Sequence, residues 1–227
     1  MQNKLEAGVK PGQKWGETIF DLLYLLTMAV CAVLLLGAAS RQPRLMGAAA
    51  ALLVSGDAFH LVPRVWALWH GGMGCYQRAL GLGKFMTSMT LSLVYLLFWQ
   101  IALERYQLNR MTALTPLFIV LLLLRLLLCL LPQNHWSGDR PPTWHALPLL
   151  RNLPFIGQGA LTAAAWLIGA AANPADQLRY IGPAIILSFL FYLPVVVMAE
   201  RKPAIGALML PKTVVYVLII LGGFWLS

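Results

Sequence analysis

The stretch LMGAAAALLVSGDAFHLVPRVWA, residues 45–67, decides the fold. It opens on ten apolar or small residues, and Asp57, His60 and Arg64 then enter without ending the apolar run. A helix of this length, rising about 1.5 Å per residue, crosses a hydrocarbon core of about 30 Å. Asp57, His60 and Arg64 recur at i, i+3 and i+7, the spacing of one helix face. Read as a membrane span, the segment sets an acid, an imidazole and a guanidinium along one stripe of a helix otherwise suited to lipid.

The rest of the chain supports that reading. Of 227 residues, 59% are hydrophobic and 11% charged, with a mean hydropathy of +0.72. A soluble domain carries about 25% charged residues. Apolar runs of span length predict helices over 17–38, 45–67, 79–103, 111–131, 152–172, 178–199 and 205–226. The expected fold is therefore all-α, one polytopic bundle of about seven transmembrane helices over residues 1–227. A short tail, 1–16, precedes it. The first run does not read as a cleavable signal peptide, because it follows mostly polar residues and carries Glu17 and Asp21. Residues 132–151, PQNHWSGDRPPTWHALPLLR, read as an interfacial loop: Trp favours the headgroup layer and Pro blocks regular pairing. No internal repeat is apparent.

Charges set an expected orientation. Lys4, Lys10, Lys14, Arg78, Arg140, Arg151, Arg201 and Lys202 fall on the N-terminal side. Arg41, Arg44, Arg105, Arg110 and Arg179 fall opposite. The positive-inside bias then places the N-terminus in the cytoplasm and the C-terminus outside the inner (cell) membrane. The net charge of +9 does not read as nucleic-acid binding, since the basic residues are scattered through short loops with no aromatic platform. Membrane lipids are the expected partners. Cys31, Cys75 and Cys129 lack CxxC spacing and read as neither a disulfide framework nor a metal site. His70, His135 and His145 sit in loops without zinc-ligand spacing. No cofactor is called for.

Depth assignment gathers the polar groups. Glu17 and Asp21 open helix one, Asp57, His60 and Arg64 lie in the second half of helix two, and Lys84 enters with helix three. Arg125 ends helix four, Arg151 and Asn152 open helix five, Glu200 closes helix six, and Lys212 lies inside helix seven. All fall in one half of the bilayer. A charge at the bilayer centre costs at least about 2.5–3.5 kcal/mol, so these groups must pair, snorkel or line a water-filled cavity. Snorkelling covers Glu17, Arg151, Glu200, Lys84 and Arg64, but serves Asp57, His60 and Lys212 poorly. Two readings follow: a polar cavity open to the cytoplasmic side, or structural ion pairs plus snorkelling.

In the cavity reading, Asp57, His60 and Asp21 are the candidate catalytic groups, and Arg64, Lys84, Ser88, Tyr95, Lys212, Tyr216 and Glu17 the candidate substrate-binding groups. Asp57 beside His60 fixes an imidazole tautomer and raises its basicity, and Arg64 holds an anion. Ser88 is a nucleophile only if a base reaches it; hydroxyl residues in membrane helices otherwise bond their own i−4 carbonyl. Glu17 and Asp21, one turn apart, repel and need cations opposite, with Lys84 and Lys212 the candidates. Helix one is therefore expected beside helices three and seven. Pro63 removes a donor and loosens helix two, and Gly56 admits a neighbouring helix.

SGDAFHLVP followed by GLGKFMTSMTLSLVYLLF, with the closing MLPKTVVYVLIILGG, is similar in layout to the lysoplasmalogenase-like (YhhN) membrane family. The resemblance implies hydrolysis of a lysolipid vinyl-ether or related bond by an intramembrane aspartate, with Asp57 matching the first acidic position. That family's second aspartate has no counterpart in FLFYLPVVV, where Phe191, Tyr192 and Pro194 stand. The chain also resembles the alkaline-ceramidase and adiponectin-receptor group of seven-helix hydrolases, without its HxxxH metal ligands. The functional expectation is a lipid-active hydrolase of lysolipid-type substrates. The alternative is a transporter or receptor-like binding module using the same charges on an ion or small anionic ligand.

Overall fold

The computed structural model describes residues 11–136, 146–198 and 202–226. Lys4, Lys10, Arg140, His145, Glu200 and Arg201 lie outside the described residues. No strand occurs among the described residues. Seven helices exceed ten residues there: α1 (Pro11–Leu36), α2 (Arg41–Trp69), α3 (Gln77–Tyr106), α4 (Thr115–Leu130), α5 (Leu153–Ala172), α6 (Ile181–Met198) and α7 (Met209–Leu221).

The first helix is amphipathic in the membrane sense, with its interior face more polar than its exterior. In α1, Thr18, Asp21, Tyr24, Met28, Cys31, Ala32 and Leu35 form a buried stripe at spacings of three and four. Ile19, Leu22, Leu23, Leu26, Val30 and Val33 lie exposed on the other side. A soluble protein does not leave such a continuous apolar surface to water. With this exterior, six of the helical segments are long and apolar enough to cross a membrane. The protein is an integral, multi-pass membrane helical bundle.

Six helices close a ring in the order α1, α2, α3, α5, α6, α7, with α7 returning to α1 and α2. The shorter α4 packs outside it, against α3 and α5. At 16 residues and about 1.5 Å each it is about 24 Å long. Pro116 explains its late start: with no N–H to donate, Pro belongs in a helix's first turn, so α4 begins at Thr115 and a separate single turn, Asn109–Thr112, precedes it. The expected continuous last helix is also divided, into 3₁₀ turns at Pro203–Leu208 and Gly222–Trp225 around α7. Pro211 sits in the first turn of α7, where its missing donor costs nothing. At the far end of the chain, Gly223 packs against Leu35 and Met46. The C-terminal end therefore lies beside the end of α1, opposite the side where α1 begins.

The tightest crossing joins α2 and α3. Pro63 leaves the Phe59 carbonyl without its helical donor, yet α2 continues unbroken to Trp69. Gly83 of α3 seats against that turn: a Cβ there would strike the Phe59 carbonyl and lie 2.5 Å from the His60 Cα. One turn below, Gly56 meets Thr90, and the Thr87 hydroxyl donates to the Gly56 carbonyl at 3.0 Å. Small residues at both points let the backbones meet.

Far from this crossing, Arg105 grips Asp176 in the link between α5 and α6 through Nε and Nη2, at 2.9 and 2.7 Å. Tyr106 donates to the same carboxylate at 2.6 Å. These donors, the Arg105 hydrogen bonds first, hold the Asp176 carboxyl well below the usual carboxylate range.

Gly83→Leu is expected to lower the stability of detergent-solubilised protein by about 1–3 kcal/mol, because backbone rather than a flexible side chain occupies the space. Gly206→Ala, which meets nothing within 4 Å, serves as the control and should melt like the parent; equal melting of both variants would contradict the crossing. Asp176→Asn should lower the melting temperature at pH 7. A depressed carboxyl contributes stability above its ordinary value near 4 and loses it as pH falls toward the depressed value. The deficit should therefore shrink below about pH 4, and a deficit that is constant with pH would exclude the charge as its cause.

Candidate functional site

The polar groups meet in the half of the bundle where α1 begins. The Trp69 indole donates to the Thr18 hydroxyl at 3.1 Å, so the start of α1 lies beside the end of α2. In the same layer Arg64 donates to Glu17 at 2.7 Å. Two turns deeper the Tyr24 hydroxyl donates to Asp57 Oδ2 at 2.6 Å. Tyr24 is buried, whereas Asp57 keeps partial exposure. Lys212 of α7 lies within electrostatic reach of the Asp57 carboxyl, and Thr87 of α3 bonds to the Gly56 carbonyl beside it. Asp57 is thus addressed from α1, α3 and α7, the elements around the interior edge of α2.

Lys212 is 8% exposed. Its ammonium lies 4.6 Å from the ring centre of Tyr192 and 5.3 Å from that of Tyr216. The tyrosine faces provide cation–π stabilisation, and no carboxylate among the described residues comes within 4.0 Å of it. Beyond it, the Tyr216 and Tyr95 hydroxyls share a hydrogen bond of 3.2 Å, and Tyr95 meets the Ser188 hydroxyl at 3.3 Å. Tyr95, Phe155, Phe189 and Tyr192 pack edge-on or tilted around this point. Edge-to-face pairs of this kind bind beyond their buried area.

A second polar knot adjoins it. Arg125, 1% exposed, donates through Nη1 to the Asn152 side-chain oxygen at 2.9 Å and to the Arg151 carbonyl at 3.0 Å. Its guanidinium carbon lies 4.2 Å from the ring centre of Phe155. The Tyr192 hydroxyl donates to the same Asn152 oxygen at 2.6 Å. Tyr192 therefore links the two cations, with Lys212 on its ring face and Arg125 sharing its acceptor.

Several expectations need correction. Asp21 is buried at 2% exposure, but it forms no salt bridge with Lys84 or Lys212. Its Oδ2 has no hydrogen-bond partner, and the charges acting on it are Arg64, Glu17 and Asp57. The long guanidinium of Arg64 reaches across to α1, which lysines on α3 and α7 do not. Accordingly α1 packs on α2 and touches α7 without a packed face on α3. Arg64 pairs with Glu17 and not with Asp57. His60 shares the helix face with Asp57, but no hydrogen bond joins them, and His60 Nδ1 is buried without a partner. Lys84 is exposed, and Ser88 donates to its own i−4 carbonyl at 2.7 Å. Of the named groups, Asp57, Lys212, Tyr95 and Tyr216 converge on the interior; Glu17 and Arg64 sit at its rim.

Sequence reasoning left Tyr24, Tyr192, Thr87 and Arg125 out of the site. Arg125 carried a signal, as the lone charge in FIVLLLLRLLLCLL. Tyr192 carried a weaker one, one turn after Ser188. Two shallow surface pockets lie elsewhere. One, of about 340 Å³, is lined by Trp15, Thr18, Val65, Trp66, Trp69 and His70; the other borders the turn at Gly74–Ala79.

Asn152→Leu preserves bulk while removing the acceptor shared by Arg125 and Tyr192. The loss should reach about 3–5 kcal/mol, the cost of stranding a buried charge. Tyr192→Phe, which removes one hydrogen bond, should cost about 1 kcal/mol. Thermal unfolding in detergent checks both, and equal losses would show that Arg125 does not depend on Asn152.

Comparison with protein-family models, with curated proteins and with solved structures finds no match to this chain.

Proposed function

We propose that this integral membrane protein binds an amphiphile from one leaflet and hydrolyses a lysolipid-type bond, with Asp57 as the proton-transfer group. One observation carries the reading. Asp57 is surrounded by groups from α1, α3 and α7, is held by Tyr24 at 2.6 Å, and still keeps accessible surface. Residues 191–196 and 208–211, on α6 and around the start of α7, are also half-buried. A polar site confined to one leaflet suits a lipid whose tail remains in the bilayer.

In this reading Tyr24 orients the carboxylate; Asp57 takes a proton from water as the water oxygen bonds to the substrate carbon, and returns it to the departing alcohol oxygen as the carbon–oxygen bond breaks. Lys212 offers charge to an anionic group. Asp21, placed one turn above Tyr24, adds negative potential at the rim. His60 is outside hydrogen-bonding reach of Asp57 and is assigned no proton transfer. The resemblance of SGDAFHLVP and the helix after it to the lysoplasmalogenase-like layout implies the same chemistry. Membrane lipids are the partners, and the cytoplasmic face, by the positive-inside rule, is the side of the mouth.

A binding module without chemistry is the second reading, favoured by the missing contact between His60 and Asp57. The test separates the two. Purified protein in lipid nanodiscs is given alkenyl and acyl lysophospholipids, and released aldehyde and fatty acid are measured. Asp57→Asn should reduce turnover by about 10²–10⁴-fold, and Tyr24→Phe by a smaller factor, both with near-parental melting. Equal turnover in Asp57→Asn, or none in the parent on every lysolipid, would overturn the hydrolase reading.

A further inference from the structure

We infer that Lys212 and Arg125 form an oxyanion site, built to hold the phosphate of an amphiphile's headgroup. The inference deepens the preceding reading by naming the headgroup chemistry, and rests on it only for the lipid origin of the phosphate.

The argument begins with charge. Both side chains are more than nine-tenths buried, Lys212 in a segment long and apolar enough to cross a membrane and Arg125 in the shorter apolar α4. Neither has a carboxylate within 4.0 Å among the described residues. Asp57 is the nearest acid in electrostatic reach of Lys212, and its Oδ2 is occupied by Tyr24. Arg125 adds a second positive charge acting on Lys212. Around Lys212 itself two cations face one carboxylate, since the other buried acid, Asp21, lies toward Glu17 and Arg64; hydrocarbon penalises such a local excess of charge heavily.

Unused donors point the same way. The Arg125 Nε is buried with no partner, and only its Nη1 makes hydrogen bonds, both to neutral oxygens. The Lys212 ammonium has three N–H donors and is met by two ring faces alone. Tyr192 ties the two cations into one locus, since its ring faces Lys212 and its hydroxyl shares the Asn152 oxygen with Arg125. A single acceptor is therefore missing, one that is anionic, carries several oxygens and is reached from two sides. A phosphate group meets each requirement, and a guanidinium with an ammonium is a recurrent pair for it. A lone halide would leave the fork geometry of Arg125 unused.

The source is a lipid or free phosphate, and both are probed directly. Protein in a neutral detergent is titrated with lysophosphatidic acid, with the matching uncharged monoacylglycerol and with inorganic phosphate, following thermal stabilisation and tryptophan fluorescence. Lysophosphatidic acid should bind at least tenfold more tightly than the monoacylglycerol. Lys212→Gln and Arg125→Gln should each abolish that preference, and Lys212→Arg should retain it. Equal binding of the charged and uncharged amphiphiles by the parent protein would overturn the site, a result independent of whether any variant folds. A preference surviving both glutamine substitutions would overturn it as well. If inorganic phosphate binds as tightly as the lysolipid, the oxyanion site stands and its lipid source is overturned. The readout is binding, so failure of turnover at Asp57 leaves this result unaffected, and the absence of a phosphate preference in the parent protein does not decide whether Asp57 turns over a lysolipid.

Discussion

Hydrocarbon cannot hydrogen-bond, and that constraint orders this structure. A polar side chain in a membrane span must find its partner inside the bundle or reach the interface. The chain meets it by sorting. Leucine and valine cover the outer faces of the helices, while Tyr24, Asp57, Lys212, Tyr192 and Arg125 turn inward and answer one another. The pairs at the rim, Glu17 with Arg64 and Thr18 with Trp69, sit where headgroups and water begin.

The close approach of α2 and α3 makes the sorting possible. Gly83 and Gly56 bring the two backbones together around Pro63, and this fixes the turn of α2 that carries Asp57 and His60. Asp57 is then presented to Tyr24 on one flank and to α7 across the ring. The aromatic cluster of Tyr95, Phe155, Phe189 and Tyr192 fills the middle of the bundle, with the polar groups collected on one side of it. The far side is tied differently, by ion pairs at the surface: Arg41 with Glu104, and Arg105 with Asp176.

Much of this was legible in the sequence, for a physical reason. Hydropathy reports the length of each span directly, and counting 1.5 Å per residue from alternating ends places each charge at a depth. That arithmetic put Glu17, Asp57, Lys212 and Arg125 in the same half, where their contacts fall. Azimuth and reach were harder to read. Arg64 reaches α1 because a guanidinium is long, so Glu17 and not Asp57 receives it. Lys84 faces outward because its neighbour Gly83 is the residue seated on α2. Helix ends followed local proline chemistry that periodicity ignores, at Pro116 and Pro211. The aromatic partners were the least visible: Tyr24 and Tyr192 look like ordinary span residues until a cation or carboxylate from another helix is placed beside them.

The central claim is that the polar half of this bundle is an open site built for a ligand, and is not a self-satisfied knot. An experimental density map of the protein purified in its native lipid tests it most directly. The account predicts headgroup density beside α7, with oxygen atoms within hydrogen-bonding distance of the Lys212 ammonium and the Arg125 guanidinium and the acyl chain leaving toward the bilayer. A dry interior in which Lys212 closes directly onto the Asp57 carboxylate, with no density between them, would contradict it.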